Sequence, residues 1–257
     1  FDSPEALTAL SAKFSQLHGL ILNAPRQFLL IGEEAHQQSL TESLLAPELP
    51  SANESIEALT FDSVRTQVRE AWATATQVNF CAKAYPSVAA GHPDNAALSV
   101  LGGYLRNSFL HTAIREQGGA YGGGAMQDAS TASFRFFSYR DPRLEETLAD
   151  FDKSISWMLD EEHPEHLLEE AILGVISAMD KPSSPSGEAK QAFYNRLFDR
   201  DLNFRMAYRK QVLAVTVEAL RRVTRTYLIP EQASIGIVSN KDNLSQLNID
   251  GIKINTL

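Results

Sequence analysis

Arg115 and Tyr121 are the two residues of this chain whose types and spacing could do chemistry on a polar substrate. They lie within a glycine-rich stretch, residues 114–124 with the sequence IREQGGAYGGG, in a chain with only 14 glycines among 257 residues. A guanidinium donates hydrogen bonds to carboxylates and carbonyls, and a phenol donates to a carbonyl oxygen or a developing oxyanion. Glycine has no Cβ, so an extended peptide could approach this backbone closely. A structural interpretation stays open: a helix C-cap and hairpin, with Arg115 favourable at the negative end of the helix dipole.

The glycines do not match the phosphate-binding patterns. A P-loop needs Gly-Lys-Ser/Thr at the start of a helix, and a dinucleotide fingerprint needs a strand before the glycines and a helix after them. Here Gly124 is followed by residues AMQD, and the next predicted element is a strand. A small-molecule or anion-binding α+β module using a glycine loop remains only as an alternative.

Other candidate sites are less complete. Residues 163–170, HPEHLLEE, offer metal-binding residue types, but an inverzincin motif would require histidine where Glu170 stands. His163 and Pro164 also begin a predicted helix, where polar residues are normal. Cys81 is the only cysteine, which excludes an intrachain disulfide and a cysteine-based zinc site. No histidine is placed near it by any motif. We therefore predict no metal site in this chain.

Composition excludes further classes. The chain has 32 acidic and 23 basic residues and a formal net charge of -9, which argues against binding to nucleic acid or an anionic membrane. No apolar run approaches the ~20 residues of a membrane span. The single cysteine is compatible with a reducing compartment, such as the cytoplasm or an organelle matrix. Because the chain begins at Phe1 without a signal-like segment, we expect a processed product or a fragment of something longer.

Periodicity predicts the elements that must position these residues. In the first part we expect helices over residues 6–20 and 35–45, a short strand over 26–32, and a polar loop or linker over 46–63. This part, residues 1–60, would form an N-terminal lead-in. Residues 61–257 would form the main domain.

The main domain begins with a predicted half-buried strand over residues 76–85. Its alternation places Val78, Phe80 and Ala82 on one face and Asn79, Cys81 and Lys83 on the other. The next helix should start at Asp94 or Asn95 and stop at a left-handed Gly118. Its predicted apolar stripe comprises Leu98, Leu101, Leu105, Phe109 and Ile114.

The remaining elements follow the glycines. We expect a strand over residues 132–139, helices starting at Asp141-Pro142 and at Pro164, a loop over 181–188, helices from about 188 to 227, and a strand over 233–238. The order lacks strict alternation of strands and helices. It predicts an α+β fold, an antiparallel sheet with helices packed on one face.

Residues 102–148 add a more specific signal. The pattern R-x-Q-G-G-A-Y-G at 115–122, followed by F-x-S-Y-R-D-P at 136–142, resembles the C-terminal part of the presequence proteases. These belong to the pitrilysin and insulin-degrading-enzyme family of zinc peptidases. The likeness extends from about residue 78 to about residue 227, and it is faint over 1–60 and at the C-terminus. It implies a pitrilysin/processing-peptidase-like half-domain.

The resemblance implies a half-enzyme. The N-terminal half, on the same polypeptide or on a separate subunit, would bind zinc, and the isolated chain would not hydrolyse peptides. By the motif match, Arg115 and Tyr121 would reach an unstructured peptide substrate at the zinc and stabilise the transition state. The two halves would enclose a substrate chamber. Gly118, Gly119 and Gly122 would leave room for an extended peptide along its wall, and Asn79 would line the same chamber. The alternative within this family is a catalytically inactive pitrilysin-like subunit with a structural or partner-binding role.

Overall fold

The computed structural model describes residues 3–45 and 65–256. The predicted linker over residues 46–63 lies outside them. In chain order the elements are α1 (Pro4–Asn23), α2 (Glu34–Leu45), β1 (Arg69–Ala73), β2 (Asn79–Pro86), α3 (Asn95–Leu105), a π-helix (Arg106–Glu116), β3 (Gly122–Asp128), β4 (Ser133–Asp141), α4 (Glu145–Asp160), α5 (Glu165–Asp180), α6 (Pro185–Leu197), α7 (Leu202–Leu213), α8 (Val217–Tyr227), β5 (Ser234–Ser239), α9 (Lys241–Ser245) and β6 (Lys253–Thr256).

The chain divides into two compact units. One comprises residues 1–63 and 183–199, and the other comprises residues 64–182 and 200–257. The first unit contains α1, α2 and α6, and the second contains the sheet and its helices. The predicted domain division at residues 60 and 61 stays a prediction. None of the helices in the described segments is long and apolar enough to cross a membrane.

In the first unit, side-chain caps and prolines set the helix starts. Ser3 Oγ accepts a hydrogen bond from Ala6 N at 3.2 Å and so caps α1, which confirms the helix predicted over residues 6–20. The helix predicted over 35–45 is also confirmed, as α2. Ser184 caps α6, which therefore starts at Pro185, inside the predicted loop over 181–188.

The strand predicted over residues 26–32 is wrong. These residues form no strand or helix, and every strand in the described parts of the chain lies in the second unit. An apolar run becomes a strand only where another strand offers hydrogen-bonding partners.

The second unit is built on a six-stranded sheet with the order β3-β4-β2-β5-β1-β6. The pairings from β3 through β4 and β2 to β5 are antiparallel, as predicted. The pairings of β1 with β5 and with β6 are parallel. Sequence analysis missed β1 and β6, two short strands, so the predicted antiparallel sheet is in fact mixed at one end.

Helices cover one face of this sheet. The α3 helix and the π-helix pack on β3, and α4 packs on β2. Alternation in β2 is confirmed, and the structure buries the face with Asn79, Cys81 and Lys83 while Phe80 on the opposite face is exposed. Lys83 is tolerated there because its Nζ lies 2.5 Å from Asp152 Oδ1 on α4.

The predicted apolar stripes form the core. They are buried in α3, in the π-helix and in α4, and include Leu98, Leu101, Leu105, Ile114, Leu148, Phe151, Ile155 and Met158. Asp94 precedes α3 as predicted, but its side chain caps no helical N–H. It accepts hydrogen bonds from Arg222 at 2.5 Å and from the Tyr227 hydroxyl at 2.8 Å, which tie α3 to α8.

Candidate functional site

The site begins with the π-helix that continues α3. A π-helix bonds each N–H to the carbonyl five residues earlier, and most are single-turn insertions in α-helices that are frequent at functional sites. Here the π-helix runs for 11 residues, and its wider turn brings His111 Nδ1 within 3.2 Å of Glu116 Oε1. Thr112 Oγ1 donates to the same carboxylate at 3.0 Å. Because π and α geometries advance by different angles per residue, the π form decides the direction in which Arg115 leaves the last turn.

The chain leaves the π-helix through a tight turn. Gly119 N donates to Arg115 O and Ala120 N donates to Ile114 O, each at 3.1 Å. This resembles a Schellman ending, widened by one residue as the π-helix requires. Gly119 has a φ of 77°, the left-handed value that glycine adopts without steric cost. The predicted left-handed stop is therefore at Gly119, and Gly118 is not left-handed.

Gly118 is buried under a side chain from the connection between β4 and α4. A Cβ at this position would collide with the guanidinium of Arg143 and with the carbonyl oxygen of Ile114. Arg143 Nη2 donates to Ala113 O at 2.9 Å and lies 3.1 Å from Asp150 Oδ2. The absence of a side chain at Gly118 thus lets Arg143 hold the end of the π-helix.

Tyr121 follows the turn and stands at the surface. Its side chain is 65% exposed, and its ring centroid lies 5.7 Å from that of Tyr139. Gly122 pairs with Tyr139 across β3 and β4, and a Cβ on Gly122 would come within about 2.5 Å of the Tyr139 ring. Gly122 therefore makes room for the ring that supports Tyr121. Residues 122–124 belong to a paired strand with no helix after it, so the phosphate-loop alternative lacks its geometry.

A β-bulge ends β4 beside Tyr121. Asn79 pairs with Asp141 and Cys81 with Ser138, so Tyr139 and Arg140 together face one residue of β2. Arg140 has a φ of 50°, a conformation that costs a non-glycine residue about 1–3 kcal/mol. Its Cζ lies 5.5 Å from the ring centroid of Tyr121, and Tyr121 N donates to Arg140 O at 3.3 Å.

Asn79 is buried at the start of β2, and every donor and acceptor of its side-chain amide is hydrogen-bonded within the fold. It is only 1% exposed. Its Nδ2 donates to the carbonyl oxygens of Asp141 at 3.1 Å and Arg143 at 3.2 Å, and its Oδ1 accepts from Ser239 Oγ and from Asn243 Nδ2. A primary amide has two donors and two acceptor positions, so none is left for a substrate. We therefore leave Asn79 out of the proposed site.

Asp141 also differs from its predicted role. It is buried, and its carboxylate accepts from Arg143 N at 2.9 Å and from Thr147 Oγ1 at 2.8 Å. These bonds bend the chain after β4 instead of capping a helix, and α4 begins only at Glu145. The bend carries Arg143 to the π-helix.

The remaining candidates from the sequence, His163 and Cys81, are held by contacts within the fold. His163 Nε2 lies 2.9 Å from Met158 O, and the His163 ring packs edge-on against Trp157. Burial raises the pKa of the Cys81 thiol to about 12, so the thiolate needed for nucleophilic attack is scarce at neutral pH. Within residues 3–45 and 65–256, no group of three or more His, Cys, Asp or Glu side chains is placed to hold a metal ion.

Two residues near Tyr121 were not singled out by sequence analysis. Arg140 is part of the F-x-S-Y-R-D-P pattern that indicated the family, and Arg143 directly follows it. Their roles depend on a bulge and on a contact with Gly118, which no periodicity in the sequence signals.

Comparison with known proteins agrees with this fold. The model of the PreP C-terminal domain family matches residues 69–226. The chain is 37% identical over 163 residues to the mitochondrial presequence protease of Kluyveromyces lactis, and this match covers 63% of the chain and 16% of that protein. It is 38% identical over 151 residues to that of Mus musculus, covering 59% of the chain and 14% of that protein. The matched region is thus a small part of each relative.

Solved structures share the fold at low identity. A protease from Helicobacter pylori has a TM-score of 0.65 at 16% identity, covering 82% of this chain and 53% of that one. Pitrilysin has a TM-score of 0.55 at 15% identity, covering 87% of this chain and 25% of that one. The predicted pitrilysin-like fold is confirmed. With more than half of its residues matched to one family model, the chain belongs to the PreP C-terminal domain family, as the motifs around Arg115 and Tyr121 predicted.

Proposed function

We propose that this chain supplies Arg115 and Tyr121 to the active site of a larger peptidase that degrades unstructured peptides. One observation carries the proposal. Both side chains are exposed beside one glycine turn, and neither guanidinium nor phenol makes a hydrogen bond or ion pair within the described residues. In contrast, the polar side chains beneath them, Asn79 and Arg143, are occupied by internal partners.

The chemistry proposed for these donors concerns the peptide group. The Tyr121 phenol would donate to the carbonyl oxygen of the bond being cleaved as negative charge develops there. Arg115 would bind a neighbouring backbone carbonyl and hold the peptide in place. A donor that acts on a developing oxyanion contributes about 2.7–4 kcal/mol to transition-state stabilisation. Direct contact of Gly118, Gly119 or Gly122 with a peptide stays a prediction. Among them, Gly119 is the exposed one.

Zinc does not fit the residues described in this chain, because they offer no set of metal ligands. Two solved structures of similar fold are a putative zinc protease from Bordetella pertussis and the inactive peptidase domain of a putative zinc protease from Bordetella parapertussis. In this proposal an N-terminal half, on the same polypeptide or on a separate subunit, binds the zinc, and the isolated chain is inactive.

The test uses the complete peptidase with Arg115→Ala and Tyr121→Phe. Each should lower kcat/KM on an unstructured peptide by roughly 100-fold or more, with unchanged zinc content and melting temperature. Arg225→Ala and Tyr194→Phe are matched controls, since both residues are exposed and belong to other elements, α8 and α6. Near-normal rates in both site variants would refute the assigned roles.

The same measurement distinguishes the proposed function from the alternative within the family. A catalytically inactive pitrilysin-like subunit would leave the complete polypeptide without activity on unstructured peptides.

For location, we propose a reducing compartment, an organelle matrix or the cytoplasm. The curated relatives are named as mitochondrial. Fractionation of cells that make the native protein tests this.

A further inference from the structure

We infer that Arg140 binds a carboxylate of the peptide, close to the carbonyl group to which Tyr121 would donate its hydrogen bond. The inference rests on the proposed function for the nature of the ligand, a peptide. It adds a residue and a preference for negative charge that neither the motif match nor the comparisons supply.

The backbone around Arg140 is built to re-aim one side chain. The bulge inserts Arg140 between the pairs Asn79–Asp141 and Cys81–Ser138, and the positive φ turns it out of the regular alternation of β4. Bulges next to active sites redirect side chains in this way. Glycine or asparagine would hold this conformation with less strain, so an arginine here points to a use for its guanidinium.

The guanidinium is available for a ligand. Arg140 is exposed, and its guanidinium makes no ion pair or hydrogen bond with any side chain or carbonyl in the described segments. Two other arginines of the same region are paired, Arg135 with Asp128 at 2.6 Å and Arg143 with Asp150 at 3.1 Å. An unpaired guanidinium in a chain of net charge -9 is a local site for an anion.

The distance to Tyr121 limits where the carboxylate must be. The Arg140 Cζ lies 5.5 Å from the Tyr121 ring centroid. An extended peptide advances by about 3.3 Å per residue. A group bound by Arg140 therefore lies within about two residues of the carbonyl that Tyr121 contacts. The carboxylate can come from an acidic side chain or from a free C-terminus near the bond.

The experiment measures binding, without turnover, to the complete protein kept metal-free with EDTA. Fluorescence anisotropy gives Kd for labelled, C-terminally amidated peptides in which one residue at a time is Glu or Gln. We expect the Glu peptide to bind about threefold to fivefold more tightly at one or two adjacent positions, as for an exposed ion pair. The preference should fall toward one at about 1 M salt, where screening is strong.

Variants of Arg140 test whether this residue causes the preference for Glu over Gln. Arg140→Asn keeps the left-handed backbone and should bring the Gln-to-Glu ratio of Kd close to one, whereas Arg140→Lys should retain part of it. Arg140→Gly is the second charge-free variant if Arg140→Asn does not fold. Arg225→Gln, on α8, is the control and should keep the wild-type ratio. Comparing free and amidated C-termini on one truncated peptide distinguishes the two sources of carboxylate.

Two outcomes overturn the inference: no preference for a carboxylate at any position or terminus of the wild type, or a ratio unchanged by Arg140→Asn. In the second case, loss of the ratio in Arg115→Ala would assign the carboxylate to Arg115. Failure of the proposed function is a separate result, because that depends on cleavage rates of Arg115→Ala and Tyr121→Phe. The charge preference is measured without cleavage.

Discussion

The guanidinium of Arg143 occupies the space that a side chain on Gly118 would need. This contact joins the connection before α4 to the end of the π-helix, where Arg143 Nη2 also donates to Ala113 O at 2.9 Å. Arg115 and Tyr121 lie on either side of this turn. The placement of both donors therefore depends on a residue 22 to 28 positions further along the chain.

Gly118→Ala should destabilise the fold. The added methyl would strike the Arg143 guanidinium and the Ile114 carbonyl, and overpacking of this kind costs about 1–3 kcal/mol. Gly174→Ala is the matched control because nothing lies within 4 Å of its added Cβ in the middle of α5, and it should be neutral or stabilising. Urea denaturation of both variants gives the free energies of unfolding. Equal effects would contradict the packing argument.

Asp150→Asn should loosen the same turn. Asp150 is buried and bonds both Arg143, at 3.1 Å, and Lys153, at 2.9 Å. Its loss leaves the half-buried Arg143 without its counter-charge, so we expect about 1–3 kcal/mol of destabilisation. Lys153→Gln removes only an exposed partner and should cost under about 1 kcal/mol. If urea denaturation shows that Lys153→Gln lowers the free energy of unfolding more than Asp150→Asn does, Arg143 is not the main partner of Asp150.

Asp94→Asn should weaken the attachment of α8 in a pH-dependent way. The hydrogen bond from Arg222 holds the pKa of Asp94 below its ordinary value of 3.8. A lowered folded pKa means that the stabilisation is complete above the unfolded pKa and disappears as the pH falls through the folded pKa. We expect a loss of about 1 kcal/mol near neutral pH, because the pair is partly exposed.

The measurement is the free energy of unfolding of wild type and Asp94→Asn in urea at several pH values. The difference between them should be constant near neutrality and should shrink only below about pH 4. A difference that stays constant down to about pH 2 would show that the charge of Asp94 contributes nothing.

Cys81 should resist thiol reagents in the folded protein. It is 2% exposed, and burial raises its pKa to about 12. At about pH 8 its thiolate fraction is then lower by more than roughly 1,000-fold than for an unperturbed cysteine of pKa about 8.5. Intact-mass spectrometry after iodoacetamide treatment should detect labelling only when urea is present. Rapid labelling of the folded chain would show that the β2 face opens to solvent.

Local pattern was sufficient for the elements with long, regular apolar spacing. The stripes of α3 and α4 and the alternation of β2 and β4 repeat over several turns or residue pairs, and this repetition is a property of the sequence itself. The same holds for the motif around Arg115 and Tyr121, whose residue types and order identify the family. Short elements were less visible: β1 and β6 have five and four residues, and only pairing with neighbours defines them.

The site depends on contacts between residues far apart in the chain. Asn79 carries the same side chain whether it faces a substrate or, as here, Asp141, Arg143, Ser239 and Asn243, and only the fold decides which. The bulge that turns Arg140 toward Tyr121 results from the register between β2 and β4, and Gly118 is explained by Arg143. Periodicity along the sequence therefore determined the buried stripes of α3 and α4, and the motif determined the candidates Arg115 and Tyr121. Tertiary structure alone decided that Asn79 and Arg143 are occupied, because their hydrogen-bond partners come from distant segments.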